Sequence, residues 1–385
     1  LVPAGLSRST RPDSRAVSET VLLSGWCQQF GGHSVADLEF APDGSLFVSS
    51  GEGAHFGTVD WGQHNGNPCG DPEGEGGMLR AQDARTTGDP TGYSGAIIRI
   101  DPDTGAAWPT NPWADDPDPD RAKIVAYGFR EPFRMSFDPV VQKLYVAEVG
   151  WGLWEELNIV DPTATPSNHG WPCFEGPNRQ PQVVEAGVPM CESLLDEEHT
   201  PPAWAYAHND PLGANCGGGG TSITGVAVVR GNGYPAPYNN GIFMADYSRE
   251  CIFFAPRAAD GSYRFDQRST FATDARVVDL QVGPGGDLYF ADILDGKILR
   301  IVATGSNHSP KAVATATPDH GPVPLETTLS GAGASDPDAG QTATLTYAWD
   351  LDDDGEFDDA TGQVVHHTFT TPGTTPVRLR VIDSG

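Results

Sequence analysis

The chain has 385 residues, 47 of them Gly and 33 Pro, and its 52 acidic against 23 basic side chains give a net charge of -29. A field of that sign excludes nucleic acid and anionic membrane surfaces as partners, and no stretch is apolar enough to cross a bilayer as a helix. Dense turn-forming residues without long amphipathic segments point to an all-β fold, and the length points to more than one domain.

Residues 1–18 are rich in Arg and Ser without a core pattern, and no signal peptide is visible ahead of them. They are expected to be disordered, or the remnant of an element whose partners are missing. Residues 19–25 (ETVLLSG) read as a strand. The next stretch, FGGHSVADLEFAPDGSLFVSSGEG at 30–53, reads as a strand over Leu38 to Phe40, a turn at Pro42, Asp43 and Gly44, and a strand over Leu46 to Ser50. A hairpin brings its outer ends together, so His33 and Glu52 are expected to meet at one rim of the sheet. An imidazole held by a carboxylate is a general base.

That hairpin recurs as MSFDPVVQKLYVAEVG (135–150), LQVGPGGDLYFADILDG (280–296) and, more loosely, VAVVRGNGYPAPYNNGIFMADYS (226–248). Recurrent strand–turn–strand units of this kind are the signature of a β-propeller. The distances between copies predict further blades between them, with GAIIRID (95–101) one such strand and GKILRIV (296–302) closing another sheet. Two long loops, 53–94 and 161–222, the second with the Gly217 to Gly220 run, are expected to act as functional lids or rims.

The six cysteines, 27, 69, 173, 191, 216 and 251, form no CxxC pair. Zinc and thioredoxin-like chemistry are poor fits, and three disulfides in an oxidising, hence secreted, setting are expected. Of the possible connectivities, pairing of neighbours is preferred because each bridge would staple one long loop.

Residues 303–311 (ATGSNHSPK) read as a linker. Residues 312–385 alternate with period two (TLTYAWDLD, VVHHTFT, PVRLRVID) and predict a small β-sandwich whose final strand is absent. Its segment DLDDDGEFD sets Asp350, Asp352, Asp354 and Asp358 at alternate positions around Gly355. This resembles a D-x-D-x-D-G calcium loop, although the twelfth position is Thr361 rather than Glu, which points to a structural ion.

Four motifs then carry a wider resemblance: HSVADLEFAPDG followed by GE (33–52), YGFREPFR (127–134), EVGWGLWEELN (148–158) and NHGWP (168–172). With them, residues 19–302 resemble the soluble glucose/sorbosone dehydrogenase (aldose sugar dehydrogenase-like) family, six-bladed propellers dependent on pyrroloquinoline quinone. The family's usual first blade is not seen here, so the chain resembles an N-terminally truncated member. Residues 312–385, with YAWDLDDDG at 347–355, resemble a PKD-type sandwich.

The resemblance implies that His33 is the base taking the substrate hydroxyl proton, that Glu52 orients it, and that Arg130 faces the quinone oxygen. Glu131 stands where the family usually has Asn; an ionised carboxylate cannot donate a hydrogen bond and would repel a carboxylated quinone. Gly150 and Trp151 match positions whose carbonyls hold calcium, with Glu155, Glu156 and Asn158 able to complete a rim or a second calcium site. Arg230 and Arg249 align with residues gripping the quinone carboxylates.

The function implied is a secreted quinoprotein oxidising the hydroxyl of a sugar or related alcohol and passing electrons to an external acceptor. A non-catalytic propeller binding carbohydrate or protein, with the PKD-type domain as attachment module, is the alternative. A calcium-dependent lactonase is a third reading, without a clear set of ligands in this sequence.

Overall fold

A computed structural model of the chain describes residues 4–10, 18–86, 91–194, 196–212, 216–217, 220–231, 233–283, 285–303, 310–336, 338 and 341–383. Strand β1 (Ala4–Thr10) pairs antiparallel with β2 (Ser18–Trp26), so part of the segment expected to be disordered or a remnant forms a hairpin. Strands β3 (Val35–Phe40), β4 (Leu46–Ser50), β5 (Ala96–Ile100) and β6 (Ile124–Tyr127) make a first antiparallel meander. Strands β7 (Pro132–Asp138), β8 (Lys143–Glu148) and β9 (Trp154–Val160) begin a second. The short β10 (Ser167–Asn168) adds in parallel to β6, β11 (Phe174–Glu175) pairs with β12 (Asn178–Arg179), and β13 (Trp204–Ala207) completes the second sheet beside β9. A third sheet runs β14 (Ile223–Arg230), β15 (Asn240–Asp246), β16 (Cys251–Pro256) and β17 (Ser269–Thr273). A fourth runs β18 (Val277–Val282), β19 (Leu288–Asp292) and β20 (Lys297–Ile301).

The four sequence copies are the first hairpin of each sheet: β3–β4, β7–β8, β14–β15 and β18–β19. The expectation of further blades between copies is corrected. Residues 95–101 are the third strand of the first copy's own sheet, and long insertions rather than extra sheets account for the spacing among the described residues. Successive sheets pack through their apolar faces, which is the architecture of a β-propeller. Phe47, Ile97, Val125 and Phe129 of the first meander meet Met135, Phe137, Leu144 and Val146 of the second in one buried cluster. A second cluster joins Tyr145, Ala147, Leu157 and Tyr206 to Ile223, Val226, Met244 and Phe253.

The two long loops, expected to be lids or rims, carry structure of their own. The first carries a 3₁₀ helix, Gly77–Arg85, buried over most of its length. Its Met78, Leu79 and Ala81 share a core with Trp171, Cys173, Phe174, Val183 and Leu194 of the second loop. Cys27–Cys69, Cys173–Cys191 and Cys216–Cys251 are bonded, the neighbour pairing expected.

By its contacts the chain falls into two compact units, Leu1–Val228 with Ile242–Gln281 and Phe290–Leu299, and Val229–Gly241 with Val282–Tyr289 and Arg300–Gly385. Most of the expected linker lies outside the described residues. In the second unit, β21 (Thr315–Thr317), β22 (Leu325–Ser330) and β25 (Val364–Phe369) form one sheet, and β23 (Thr346–Asp350), β24 (Ala360–Thr361) and β26 (Arg378–Ile382) form another. Trp349 is fully buried with Leu329 and Leu351, and its Nε1 donates to the Gly362 carbonyl at 2.9 Å, as a two-sheet sandwich core requires. Among the described residues no helix is long and apolar enough to cross a membrane.

Candidate active site

The hairpin logic holds at its open end. The Gly53 N–H donates to the His33 carbonyl at 3.1 Å and the Gly51 N–H to the Ser34 carbonyl at 2.9 Å, which ties the two outer ends together. Gly51 is needed for the close approach: a Cβ there would fall 2.5 Å from the His33 carbonyl oxygen. His33 adopts a left-handed φ of 53°, a conformation uncommon for a side-chain-bearing residue and concentrated at functional positions. The consequence is a contact of 3.0 Å between His33 Nδ1 and Glu52 Oε1.

Glu52 is 1% exposed, and both of its oxygens are used. Oε2 accepts from the Trp171 indole N–H, a residue 119 positions away in the second long loop. Its backbone is braced as well. The Glu52 N–H donates to the Arg130 carbonyl at 2.9 Å, and buried Arg80 donates to the Glu52 and Gly53 carbonyls at 3.3 and 3.4 Å. A carboxylate accepting on both oxygens from two donor N–H groups fixes the ring it faces and its tautomer.

His33 has a second carboxyl neighbour. Glu131 Oε2 lies 3.8 Å from Nε2, is buried, and has no hydrogen-bond partner among the described residues. Burial pushes the Glu131 carboxyl up to about 7, with Glu52 raising it further and His33, Arg130 and Arg134 pulling it down. Burial therefore draws Glu131 toward its neutral form, which carries an O–H and, unlike the carboxylate, can donate.

Arg130 is 6% exposed. Its Nη1 donates to the Val149 and Gly150 carbonyls at 3.0 and 2.8 Å, its N–H donates to Glu148 Oε1 at 2.6 Å, and Nε is buried without a partner. Behind it, Asn158 Nδ2 bridges Glu148 Oε2 (2.8 Å) and Glu156 Oε2 (3.1 Å). Burial raises Glu148 well above the usual carboxylate range, helped by neighbouring Glu156, and raises Glu156 to about 7. His169 is no second base. Burial holds it down to about 3, it stacks on Phe129 at 4.5 Å, and its two nitrogens meet Asn158 and Ser167.

The residues expected to hold calcium are distributed differently. The Gly150 carbonyl already accepts from a guanidinium. The N–H groups of Trp151, Gly152, Leu153 and Trp154 all donate to Glu175 Oε1 at 2.8–3.2 Å, so this turn wraps an internal carboxylate. Glu155 and Glu156 point to opposite faces of β9, as adjacent strand residues must. Glu156 joins Asn158, whereas Glu155 lies 2.9 Å from His208 Nε2 and accepts from the Ile223 N–H. As the side chains stand, these residues do not fit a dication. An orphaned carboxyl oxygen and an unpartnered guanidinium N–H do fit a ligand bearing carbonyl or acidic oxygens, such as the quinone.

Of the two further arginines, Arg249 donates from Nη2 to the His208 carbonyl at 2.9 Å and belongs to the Glu155–His208–Asp246 neighbourhood. Arg230, which donates to Asn240 Oδ1 at 3.2 Å, belongs to the second unit. In that unit Asp350, Asp352 and Asp359 bring carboxylate oxygens within 4.8 Å of one another, while Asp354 and Asp358 are not in the group. Asp350 also accepts from Arg378 Nη1 at 3.0 Å, so its charge is already paired. The spacing argument missed Asp359 by one residue, and it missed Trp171, Arg80, Glu148 and Glu175. Trp171 and Glu148 lie inside the quoted motifs, which was the available signal; Arg80 and Glu175 carry none.

Residues 6–300 match the family described as Glucose / Sorbosone dehydrogenase, and residues 307–385 match the PKD domain. The chain belongs to the glucose/sorbosone dehydrogenase family, with a C-terminal PKD domain. It is 26% identical over 297 residues to an uncharacterized protein of Synechocystis sp., covering 75% of this chain and 62% of that one. It therefore spans less than two thirds of the length of that curated relative. Its fold is similar to that of a glucose dehydrogenase-type oxidoreductase of Thermus thermophilus (TM-score 0.52, 21% identity, 76% of this chain and 73% of that one). It is also similar to the soluble aldose sugar dehydrogenase of Escherichia coli in its apo-form (TM-score 0.50, 20% identity, 77% and 72%).

Proposed function

We propose that this member of the glucose/sorbosone dehydrogenase family is a secreted oxidoreductase that oxidises a hydroxyl-bearing carbon of a sugar or related alcohol. The hydride acceptor in this reading is pyrroloquinoline quinone, and electrons leave to an external acceptor. The observation that carries it is the His33–Glu52–Trp171 chain at the rim of the first sheet. Glu52 holds the proton on Nδ1, which leaves Nε2 free to take the proton of a substrate hydroxyl as the carbon gives up hydride. Arg130 and Glu131, next to each other just before β7, would hold the quinone oxygens; when bound, the quinone would supply the two-electron acceptor. Calcium is part of the family reading. The Gly150 carbonyl, one of the positions matched to calcium, is engaged by Arg130. Three disulfides and the PKD domain support an extracellular setting, with the PKD domain available for contact with polysaccharide or protein.

The test is absorbance titration of the purified chain with the quinone, with and without calcium, followed by aldose and an artificial electron acceptor. Uptake followed by reduction, with reduction lost in His33→Ala, is the expected result. Absence of uptake under both conditions would overturn the reading in favour of a binding propeller.

A further inference from the structure

We propose that Glu131 binds the cofactor as a neutral acid, donating its Oε2–H to a cofactor oxygen at the rim that also carries His33. This rests on the quinone reading above. Three features of the site lead to it.

The first is the orphaned atom. Glu131 is 8% exposed, its carbonyl is fixed by the Val149 N–H at 3.0 Å, and its Oε2 meets no hydrogen-bonding group among the described residues. A buried polar atom left open, next to the equally open Nε of Arg130, is a place for a ligand atom. The second is the spacing. At 3.8 Å, Oε2 and His33 Nε2 are too far apart for a direct hydrogen bond, so His33 leaves the hydrogen-bonding position of Oε2 open and keeps its own Nε2 for the substrate hydroxyl. The third is the charge count. Glu52 and Glu131 flank one imidazole, at Nδ1 and Nε2 respectively, and that ring can carry only a single positive charge.

The charged or titratable groups acting on Glu131 are His33, Glu52, Arg130 and Arg134. Burial outweighs the cations among them and places its carboxyl at about 7. A protonated carboxyl offers one donor and one acceptor, the hydrogen-bonding capacity of the amide more usual at this position. Once ionised, it offers only acceptors and repels an anionic ligand. Glu131 thereby makes ligand uptake consume a proton whenever the free site is ionised.

The experiment measures quinone affinity by absorbance from pH 5.5 to 8.5 for the wild-type chain and Glu131→Gln, with circular dichroism to show that both are folded. In parallel, the Glu131 side-chain carboxyl ¹³C signal, identified by its loss in the variant, is titrated in the ligand-free protein. Above about pH 7 the wild-type affinity should fall by up to about tenfold per pH unit relative to Glu131→Gln, whose amide keeps its donor throughout. Parallel pH profiles for the two proteins, or a carboxyl that titrates in the ordinary range near 4 to 5, would overturn the inference while leaving the quinone reading intact. Uptake by neither protein at any pH would overturn the quinone reading, and the inference with it.

Discussion

Glu52→Gln is the sharpest perturbation of the catalytic reading, because it replaces one oxygen by an NH₂ group and leaves the shape unchanged. Glu52 accepts from two N–H groups, His33 Nδ1–H at 3.0 Å and the Trp171 indole. A glutamine has one acceptor oxygen and one NH₂. The indole can only donate, so it claims the oxygen and turns the NH₂ toward His33. The imidazole then has to accept at Nδ1 and carry its proton on Nε2, the atom that must take the substrate proton. The fold loses little, below about 1 kcal/mol, because both contacts survive the tautomer switch, the indole still donating to the amide oxygen and the new NH₂ donating to Nδ1. The rate loses the general base: about 10²- to 10⁴-fold in kcat, or about 3 to 5.5 kcal/mol of barrier. Steady-state kinetics of the quinone-loaded protein measure the rate, and imidazole ¹⁵N shifts report the tautomer without turnover. A kcat within threefold of wild type, or a proton still on Nδ1, would refute the reasoning.

Gly51→Ala puts a methyl group 2.5 Å from the His33 carbonyl and should cost about 1–3 kcal/mol while separating His33 from Glu52; an unchanged melting curve and unchanged kcat would count against the close approach. Replacing Cys27 and Cys69 by serine opens a separation of 42 residues, for which loop closure predicts a loss of about 4 kcal/mol, read as the shift in a denaturant midpoint; a loss below about 1 kcal/mol would show the insertion to be held by its core alone. Stability should fall as pH rises from 5 to 8. Burial raises Glu39, Glu131 and Glu156 to about 7 and Asp37 to about 6, so the folded chain keeps protons that the unfolded chain has already released. That contribution is complete below the unfolded values near 4 and is lost as pH passes through 6 to 7, and a melting temperature flat or rising over this range would contradict it.

What the sequence makes legible here is local. The Pro-Asp-Gly turn between two apolar runs fixes a hairpin, and a hairpin of known register carries His33 to Glu52 without further information. The same logic finds all four first hairpins. It misjudges the distance between them, because an insertion that folds back as the buried 3₁₀ helix Gly77–Arg85 has the length of a blade and no repeat to betray it. Trp171 and Arg80 reach the site from two insertions that share a core, a convergence set by packing rather than by spacing. Glu131 shows another limit. Residue type alone suggests a repelling carboxylate, whereas burial pushes its carboxyl up to about 7 against the pull of His33 and Arg130. In the PKD domain the alternation of aspartates predicts an acidic cluster, but the turn after Gly355 brings in Asp359 instead of Asp358.

The order of the cysteine pairs bears on how the chain matures. Cys27 joins 69, 173 joins 191 and 216 joins 251, so no bridge straddles another. For a chain that emerges in sequence order into an oxidising space, each of these bridges joins two successive cysteines of the six. Oxidation can therefore keep pace with emergence, one closed segment at a time, and scrambled isomers need not be resolved before the blades assemble.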